Sequence, residues 1–166
     1  MKRTVSEMAR EFRQHWRNYV LQSALATLIL LLALVLLRLE QMVIAASIGS
    51  TAFIVFAMPG ALTAKARNVV GGQLVGVLSG AGCGALAGLT RFPFSVGLYA
   101  LAVGLSIFIM VVTDTEHPPA SGTALGLAVA EGAWGRTLEG SLAVMVGAGL
   151  LAIAHRLLRP YLRDLA

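Results

Sequence analysis

The chain has 166 residues, 57% of them apolar and 13% charged, and its mean hydropathy is +0.80. A water-soluble domain of this size cannot bury so much apolar surface, so we predict an all-α membrane protein whose partner is the lipid bilayer. The net charge of +5 would suggest nucleic acid in a soluble chain. Here the basic residues lie between apolar runs, a pattern typical of membrane flanks, and we expect no nucleic-acid partner.

Residues 1–19 form the first predicted element, an N-terminal basic amphipathic helix. Its apolar residues recur at helical intervals, at Val5, Met8, Phe12, Trp16 and Tyr19. Much of the remainder is basic, namely Lys2, Arg3, Arg10, Arg13 and Arg17. A helix with these two faces lies in the membrane interface. A disordered tail is the alternative interpretation.

Six apolar runs follow, and we predict that residues 20–166 form one transmembrane domain. The runs cover residues 20–37, 42–58, 69–89, 94–112, 119–133 and 140–158. A helix needs about 20 residues to cross the hydrocarbon core, with about 17 tolerated. Five runs reach that length, and the fifth in chain order is shorter. We therefore predict six transmembrane segments, of which the fifth is short or discontinuous.

Basic residues predict how these segments are oriented. With six crossings and a cytoplasmic N-terminus, the inside carries the basic residues of the lead together with Lys65, Arg67, Arg156, Arg159 and Arg163. The outside carries Arg38, Arg91 and Arg136. Because cytoplasmic loops are enriched in Lys and Arg, this distribution favours six crossings. It predicts a multi-pass protein of the cell (inner) membrane with both termini in the cytoplasm.

The third run carries a row of glycines in steps of four, at Gly72, Gly76, Gly80, Gly84 and Gly88. Such a row lets another backbone approach closely in lipid. We predict that it packs against a helix, either of the same chain or of a second copy in a homo-oligomer. The sequence does not choose between these two contacts.

A weak internal repeat predicts two halves of three helices each, at about residues 20–90 and 91–160. Residues 47–52 at the start of the second run resemble residues 119–124 at the start of the fifth, and a glycine-bearing helix follows each. An odd number of crossings per half forces the two copies into opposite orientations, so we predict inverted repeats, as in many transporters. Because small residues are common in membrane helices, chance similarity is the alternative.

The densest polar segment, residues 113–119, ends in a double proline that predicts a helix start. A helix start offers unpaired backbone N–H groups to an anion, here from Ala120, Ser121 and Gly122 onward. We predict an anion site near the bilayer interior, with donors from both repeats. Its residues are His117, Ser121, Gly122, Thr123, Ser47, Ser50 and Thr51. An ordinary solvated loop is the alternative interpretation.

Other polar residues near this segment are predicted to line or gate a path. His117 can bind an anion when protonated or relay a proton, and a nearby Asp114 or Glu116 would raise its proton affinity. Arg67 and Asn68 precede the glycine row. They are either a cytoplasmic membrane anchor or part of the inner mouth of a permeation path. The sequence shows no metal-ligand spacing and no catalytic triad, so we expect no metal, no cofactor and no enzyme activity.

The sequence resembles the HPP family of small integral membrane proteins, which is named for a motif present here as His117-Pro118-Pro119. The family pattern of a small-residue helix, a proline-containing turn, Arg-Asn and Gly-Gly is similar to residues 46–59, Arg67-Asn68 and Gly71-Gly72. A second similar block continues from the motif to Thr123-Ala124. Together the two blocks cover roughly residues 42–158.

The resemblance implies a membrane transporter, and characterised relatives in plastids and cyanobacteria are associated with nitrite. Relatives often carry a proline where this chain has Ala66 and a histidine where it has Gln73. Gln73 is therefore a predicted pathway residue, and the loss of the histidine can alter the proton coupling or the anion preference of the protein. The leading hypothesis is that the protein passes a small monovalent anion across the membrane, and nitrite is the first candidate substrate. Two further hypotheses are an assembly protein that packs through the glycine row and an intramembrane enzyme using Glu116 and His117.

Overall fold

A computed structural model describes residues 5–37, 42–90, 94–130 and 134–165. Within these residues the chain is entirely helical, with six α-helices, two 3-10 turns and no strand, as the composition predicts. The predictions made for Lys2, Arg3, Arg38 and Arg91, and the end of the fifth run at residues 131–133, fall outside the described residues.

The helix bounds follow the apolar runs closely. The helices are α1 Val5–Leu37, α2 Met42–Ala57, α3 Ala66–Ala87, α4 Phe94–Val112, α5 Pro119–Val129 and α6 Trp134–Leu158. The 3-10 turns are Leu62–Ala64, before α3, and Arg159–Tyr161, after α6. The largest difference is at α6, which begins six residues before the predicted run at 140–158 because Arg136 and Glu139 are accommodated in its first turns.

The predicted interfacial helix and the first apolar run follow one another directly, with a kink between two helical segments. Both belong to α1, whose backbone leaves helical geometry at His15 (φ −126°, ψ 17°), four residues before the predicted boundary at residue 19. Phe12 packs edge-on against Tyr19 at 5.4 Å between ring centroids, across this bend. The guanidinium of Arg17 lies 5.8 Å from the centroid of the Trp16 ring, so basic and aromatic groups alternate on this segment.

Helix lengths separate the helices that can cross a bilayer alone from those that cannot. Among the described residues, Ala66–Ala87, Phe94–Val112 and Gly135–Tyr161 are long and apolar enough to span a membrane. The apolar part of α2, Val43–Ala57, and α5 are shorter. At 1.5 Å per residue the 11 residues of α5 extend about 17 Å, against a hydrocarbon core of about 30 Å. Other helices must therefore shield the ends of α5 from lipid.

The glycine row of α3 packs against the backbone of α5. A Cβ added at Gly76 would overlap the carbonyl of Ala120, and one added at Gly80 would lie 2.5 Å from the carbonyl oxygen of Ala124. At Gly84 the nearest atom would be the carbonyl oxygen of Leu127, at 2.8 Å. The sequence left open whether the glycine row packs against a helix of the same chain or of a second copy. In the structure it packs against a helix of the same chain.

Several connections meet at one end of the bundle, which we call the proximal end. It comprises the two segments 57–66 and 113–118 and the C-terminal residues 159–165. The N–H of Leu165 donates to the carbonyl of Ala57 at 2.8 Å, and the ring of His155 donates from Nε2 to the carbonyl of Pro59 at 2.9 Å. Buried Gln22 of α1 joins this end by donating to the carbonyl of Arg163 at 2.8 Å.

Replacing Gly80 with alanine tests the contact between α3 and α5. We expect Gly80→Ala to destabilise the protein by about 1–3 kcal/mol, because the added methyl group meets backbone and the two helices must move apart. Thermal unfolding in detergent measures the loss.

Gly82→Ala is the matched control, because a Cβ there meets nothing within 4 Å. We expect it to be neutral or slightly stabilising, since alanine is the better helix former by about 1 kcal/mol. Equal unfolding temperatures for the two variants would contradict the packing described.

Candidate functional site

Five polar side chains meet inside the bundle and form what we call the buried polar cluster. Its members are Ser47, Thr51, Gln73, His117 and Thr123, each at most 4% exposed. They come from α2, from α3, from α5 and from the connection before α5. Buried polar groups in a membrane protein are costly unless they are hydrogen-bonded, and they often mark functional sites.

The hydroxyl groups of the cluster join α2 to α5. Ser47 Oγ lies 2.6 Å from the carbonyl oxygen of Pro119 and 2.8 Å from Thr123 Oγ1. Pro119 is the first residue of α5, and its fixed φ suits the first turn of a helix. The seam between α2 and α5 is therefore closed by direct contacts between hydroxyl and carbonyl groups.

Gln73 lies at the centre of the cluster and bonds to both sides of this seam. Its Nε2 donates to Thr51 Oγ1 at 3.1 Å and, more weakly, to Ser47 Oγ at 3.4 Å. Its Oε1 accepts from the hydroxyl of Thr123 at 2.6 Å. The amide thus uses its donor toward α2 and its acceptor toward α5, so one side chain of α3 bridges two short helices.

His117 is buried in the connection between α4 and α5, and its two partners define its tautomer. Nδ1 lies 2.9 Å from the carbonyl oxygen of Thr63, which can only accept, so Nδ1 carries a proton. Nε2 lies 2.9 Å from Thr51 Oγ1. Burial lowers the pKa of His117 from 6.5 to about 4, although the hydrogen bond to Thr63 opposes the shift. The ring is therefore neutral near neutral pH, and its Nε2 can accept the hydroxyl proton of Thr51, which the carbonyl of Ser47 can also accept.

The cluster has fewer hydroxyl protons than contacts that need one. The three hydroxyls of Ser47, Thr51 and Thr123 take part in five contacts that require a hydroxyl proton when His117 is neutral. Each hydroxyl carries one proton, so two contacts lack one at any moment. The hydroxyl protons of the cluster therefore have more than one possible arrangement.

Arg67 and Asn68 hold the connection that carries His117. The guanidinium of Arg67 donates to the carboxylate of Asp114 at 3.1 Å and to the carbonyl of Thr113 at 2.8 Å. Asn68 Nδ2 donates to the carbonyl of Glu116 at 3.2 Å. Asp114 has a positive φ of 53°, which costs energy in a residue with a Cβ and marks a turn fixed by its surroundings. The pair at the start of α3 therefore positions the turn before α5.

Some of the expected anion-site residues lie apart from the cluster. Ser50 is exposed and donates to the carbonyl of Ala46 in its own helix, and Ser121 accepts a weak hydrogen bond from Ser106 at 3.3 Å. Gly122 packs beside Ser47, where an added Cβ would lie 3.6 Å from the serine Cβ. Asp114 is 79% exposed and paired with Arg67, so it is not the neighbour that would raise the proton affinity of His117.

The unpaired helix-start donors that we expected are bonded in this conformation. The N–H of Ala120 donates to the carbonyl of His117 at 2.9 Å, and that of Ser121 donates to the carbonyl of Pro118 at 3.1 Å. The prediction that both N–H groups are free is therefore wrong, because the turn before α5 winds tightly enough to satisfy them itself. Donors for a ligand must come from the side chains of the cluster.

An open surface groove of about 500 Å³ lies along the seam between α2 and α5. Its lining is mostly apolar, as at Phe53, and its two hydroxyl-bearing residues are Ser47 and Ser50. Ser47 belongs to both the groove and the cluster. A polar solute that entered the groove would therefore meet the hydroxyl that closes the seam.

Other buried polar residues lie outside the cluster and were not predicted from the sequence, among them Gln22, Ser79, Ser95 and Ser106. Gln22 is 1% exposed in α1, and Ser106 is fully buried in α4. Each lies in an apolar run, and polar residues in such runs often face the interior of a bundle. The partners of Gln22 and Ser106 are backbone or distant in sequence, and no local pattern identifies them.

The protonation state of His117 provides a test of this geometry by ¹⁵N NMR. We expect a neutral ring with the proton on Nδ1 near neutral pH, becoming charged only near pH 4. Because the pKa in the folded chain lies below its ordinary value, the associated stability is complete above pH 6.5 and decreases as the pH falls toward 4. A charged ring at pH 6.5, or a proton on Nε2 alone, would contradict the assigned contacts.

Comparisons with known proteins agree with this picture at the level of the family. A transmembrane protein of Dictyostelium discoideum is 35% identical over 101 residues, which cover 58% of this chain. The chain spans 35% of that relative's length. No solved structure matches the chain significantly. The family model for the HPP transmembrane region matches residues 10–160, which include all five members of the buried polar cluster. The chain therefore belongs to the HPP family of transmembrane proteins.

Proposed function

We propose that this protein is a membrane transporter or channel that passes a small monovalent anion, with nitrite as the first candidate. The observation that carries the proposal is the buried polar cluster, placed where two short helices meet the glycine row of α3. A protein that served only as a membrane scaffold would gain little from such a cluster, because apolar residues pack the same space at lower cost.

The short helices support a pathway at this position. Neither α2 nor α5 alone has the length of the hydrocarbon core, so each helix leaves part of a crossing to be covered by protein or water at the end away from the proximal one. Transporters place substrate sites at such interrupted helices near the bilayer midplane. Here the end of one short helix is lined by His117, Thr123 and Gln73, which are hydrogen-bonding groups without a permanent charge.

Neutral donors suit an ion that must both bind and leave. The amide of Gln73 and the hydroxyls of Ser47, Thr51 and Thr123 can turn toward an anion and replace part of its hydration shell. A neutral His117 adds no full positive charge that would trap the ion. Conduction requires this balance, since a site that binds too strongly does not release.

The closed seam favours alternating access over a continuous pore. Ser47 contacts both Pro119 and Thr123 directly, so no ion passes the cluster until α2 moves away from α5. These contacts join uncharged groups, so no ion pair has to be broken when the two helices separate. We therefore propose that separation of α2 from α5 is part of each transport cycle.

We also propose six crossings, with both termini cytoplasmic in the cell membrane and the two halves related as inverted repeats. The contacts at the proximal end support this topology, because α2 ends there, α3 and α5 begin there, and the basic Lys65, Arg67, Arg156 and Arg159 lie there. The helix packing supports the repeat: α1 packs on α2 as α4 does on α5, and α3 packs on α5 as α6 does on α2. We propose no catalytic step and no cofactor.

The assembly hypothesis receives less support. It requires the glycine row to face a partner, but Gly76, Gly80 and Gly84 pack against α5 of the same chain. A homo-oligomer would have to use another surface, such as the exposed apolar face of α4.

Nitrite flux into liposomes tests the proposal. Wild-type protein is expected to raise uptake above that of empty vesicles, while His117→Ala and Thr123→Val each reduce it at least about tenfold, because each removes a group that contacts the ion or its neighbours. Competition with other small anions, with and without a proton gradient, then ranks substrates and reveals any coupling to protons.

Thr27→Val is the matched control for Thr123→Val. Its hydroxyl is exposed in α1 and bonds only within that helix, to the carbonyl of Ser23. The substitution makes the same chemical change away from the cluster, and flux should stay unchanged. Absence of nitrite flux in the wild type would overturn the proposed function, and full flux in both cluster variants would overturn the assignment of the path.

A further inference from the structure

A second site lies at the proximal end and shares no residue with the buried polar cluster. It is a pocket of about 390 Å³ between the turn after α2 and the C-terminal residues. Its walls are Pro59, Gly60, Arg156, Arg159, Pro160, Leu162 and Asp164. The mechanism proposed above does not use any of these residues.

The pocket has the donors of an anion site. Arg156 and Arg159 are exposed, and neither has a carboxylate within salt-bridge distance in the part of the chain that the structure describes. The backbone N–H of Gly60 donates to the Asp164 carboxylate at 2.8 Å. The Asp164 carboxylate of the chain itself thus accepts from a backbone donor in a pocket that Arg156 and Arg159 also line, which indicates that the pocket accepts an anionic group.

The surface beside the pocket is suited to an aliphatic chain. Ile153 and Leu157 are 59% and 68% exposed, and Leu150 is exposed above them on the same face of α6. Arg156 lies three residues after Ile153 and next to Leu157, so a cation ends this apolar strip at the pocket. A molecule that fits both the basic pocket and the apolar strip of α6 has an anionic head and a hydrocarbon tail.

We propose that this pocket binds the phosphate of an anionic phospholipid, with an acyl chain along the exposed face of α6. Basic pockets between helices at the cytoplasmic side of membrane proteins recognise such head groups. Asp164 competes with the phosphate for the N–H of Gly60, so lipid binding displaces the carboxylate and loosens the C-terminal residues from the turn after α2. The inference is independent of the transport function.

Native mass spectrometry of the full chain in neutral detergent tests the site with phosphatidylglycerol and phosphatidylcholine as probes. We expect phosphatidylglycerol to bind more tightly than phosphatidylcholine. The double variant Arg156→Gln, Arg159→Gln should bind it on the order of 30-fold more weakly, because two cations near the head group are lost. Asp164→Asn should bind it roughly fivefold more tightly, since the competing charge is removed.

Arg163→Gln and Arg136→Gln are controls for net charge. Both side chains are exposed and neither lines the pocket, so we expect less than about a twofold change. Equal binding of the two lipids, or equal losses in the double variant and the combined controls, would overturn the proposal. So would inorganic phosphate that displaces phosphatidylglycerol at an equal concentration, because the ligand would then be the free ion.

Discussion

The close contact between the glycine row of α3 and the backbone of α5 is the constraint on which the other features of the bundle depend. Only residues without a Cβ let the carbonyls of Ala120 and Ala124 lie so near α3. This contact holds α5 inside the bundle although the helix alone is shorter than the hydrocarbon core of a bilayer. It thereby places Thr123 and the preceding His117 against Gln73.

The buried polar cluster follows from that placement and from the short α2 on the other side. Each of its side chains has a hydrogen-bond partner, so the cluster is tolerated in an apolar interior. The hydroxyl protons are nevertheless too few for all the contacts. The cluster thus closes the seam between α2 and α5 with contacts of uncharged groups, which the proposed transport cycle would break and re-form.

Periodicity and hydropathy predicted the helices well, because a chain in lipid must bond its backbone within each helix. The convergence of Ser47, Thr51, His117 and Thr123 also followed from the sequence, through the similar starts of α2 and α5. The sequence did not predict that the N–H of Ser121 is hydrogen-bonded or that the side chain of Ser50 points outward. A turn before a helix and the rotation of a helix about its axis depend on tertiary contacts, such as those of Arg67 with the connection before α5.

Whether α2 must separate from α5 during transport is tested most directly by a reversible cross-link. A Cβ at Gly126 would lie 3.4 Å from that of Val43, close to the separation of a disulfide, and neither residue belongs to the polar cluster. In a Cys83→Ala background with Val43→Cys and Gly126→Cys, we predict that oxidation abolishes nitrite uptake into liposomes and that reduction restores it. Undiminished uptake by the fully cross-linked protein would contradict the account.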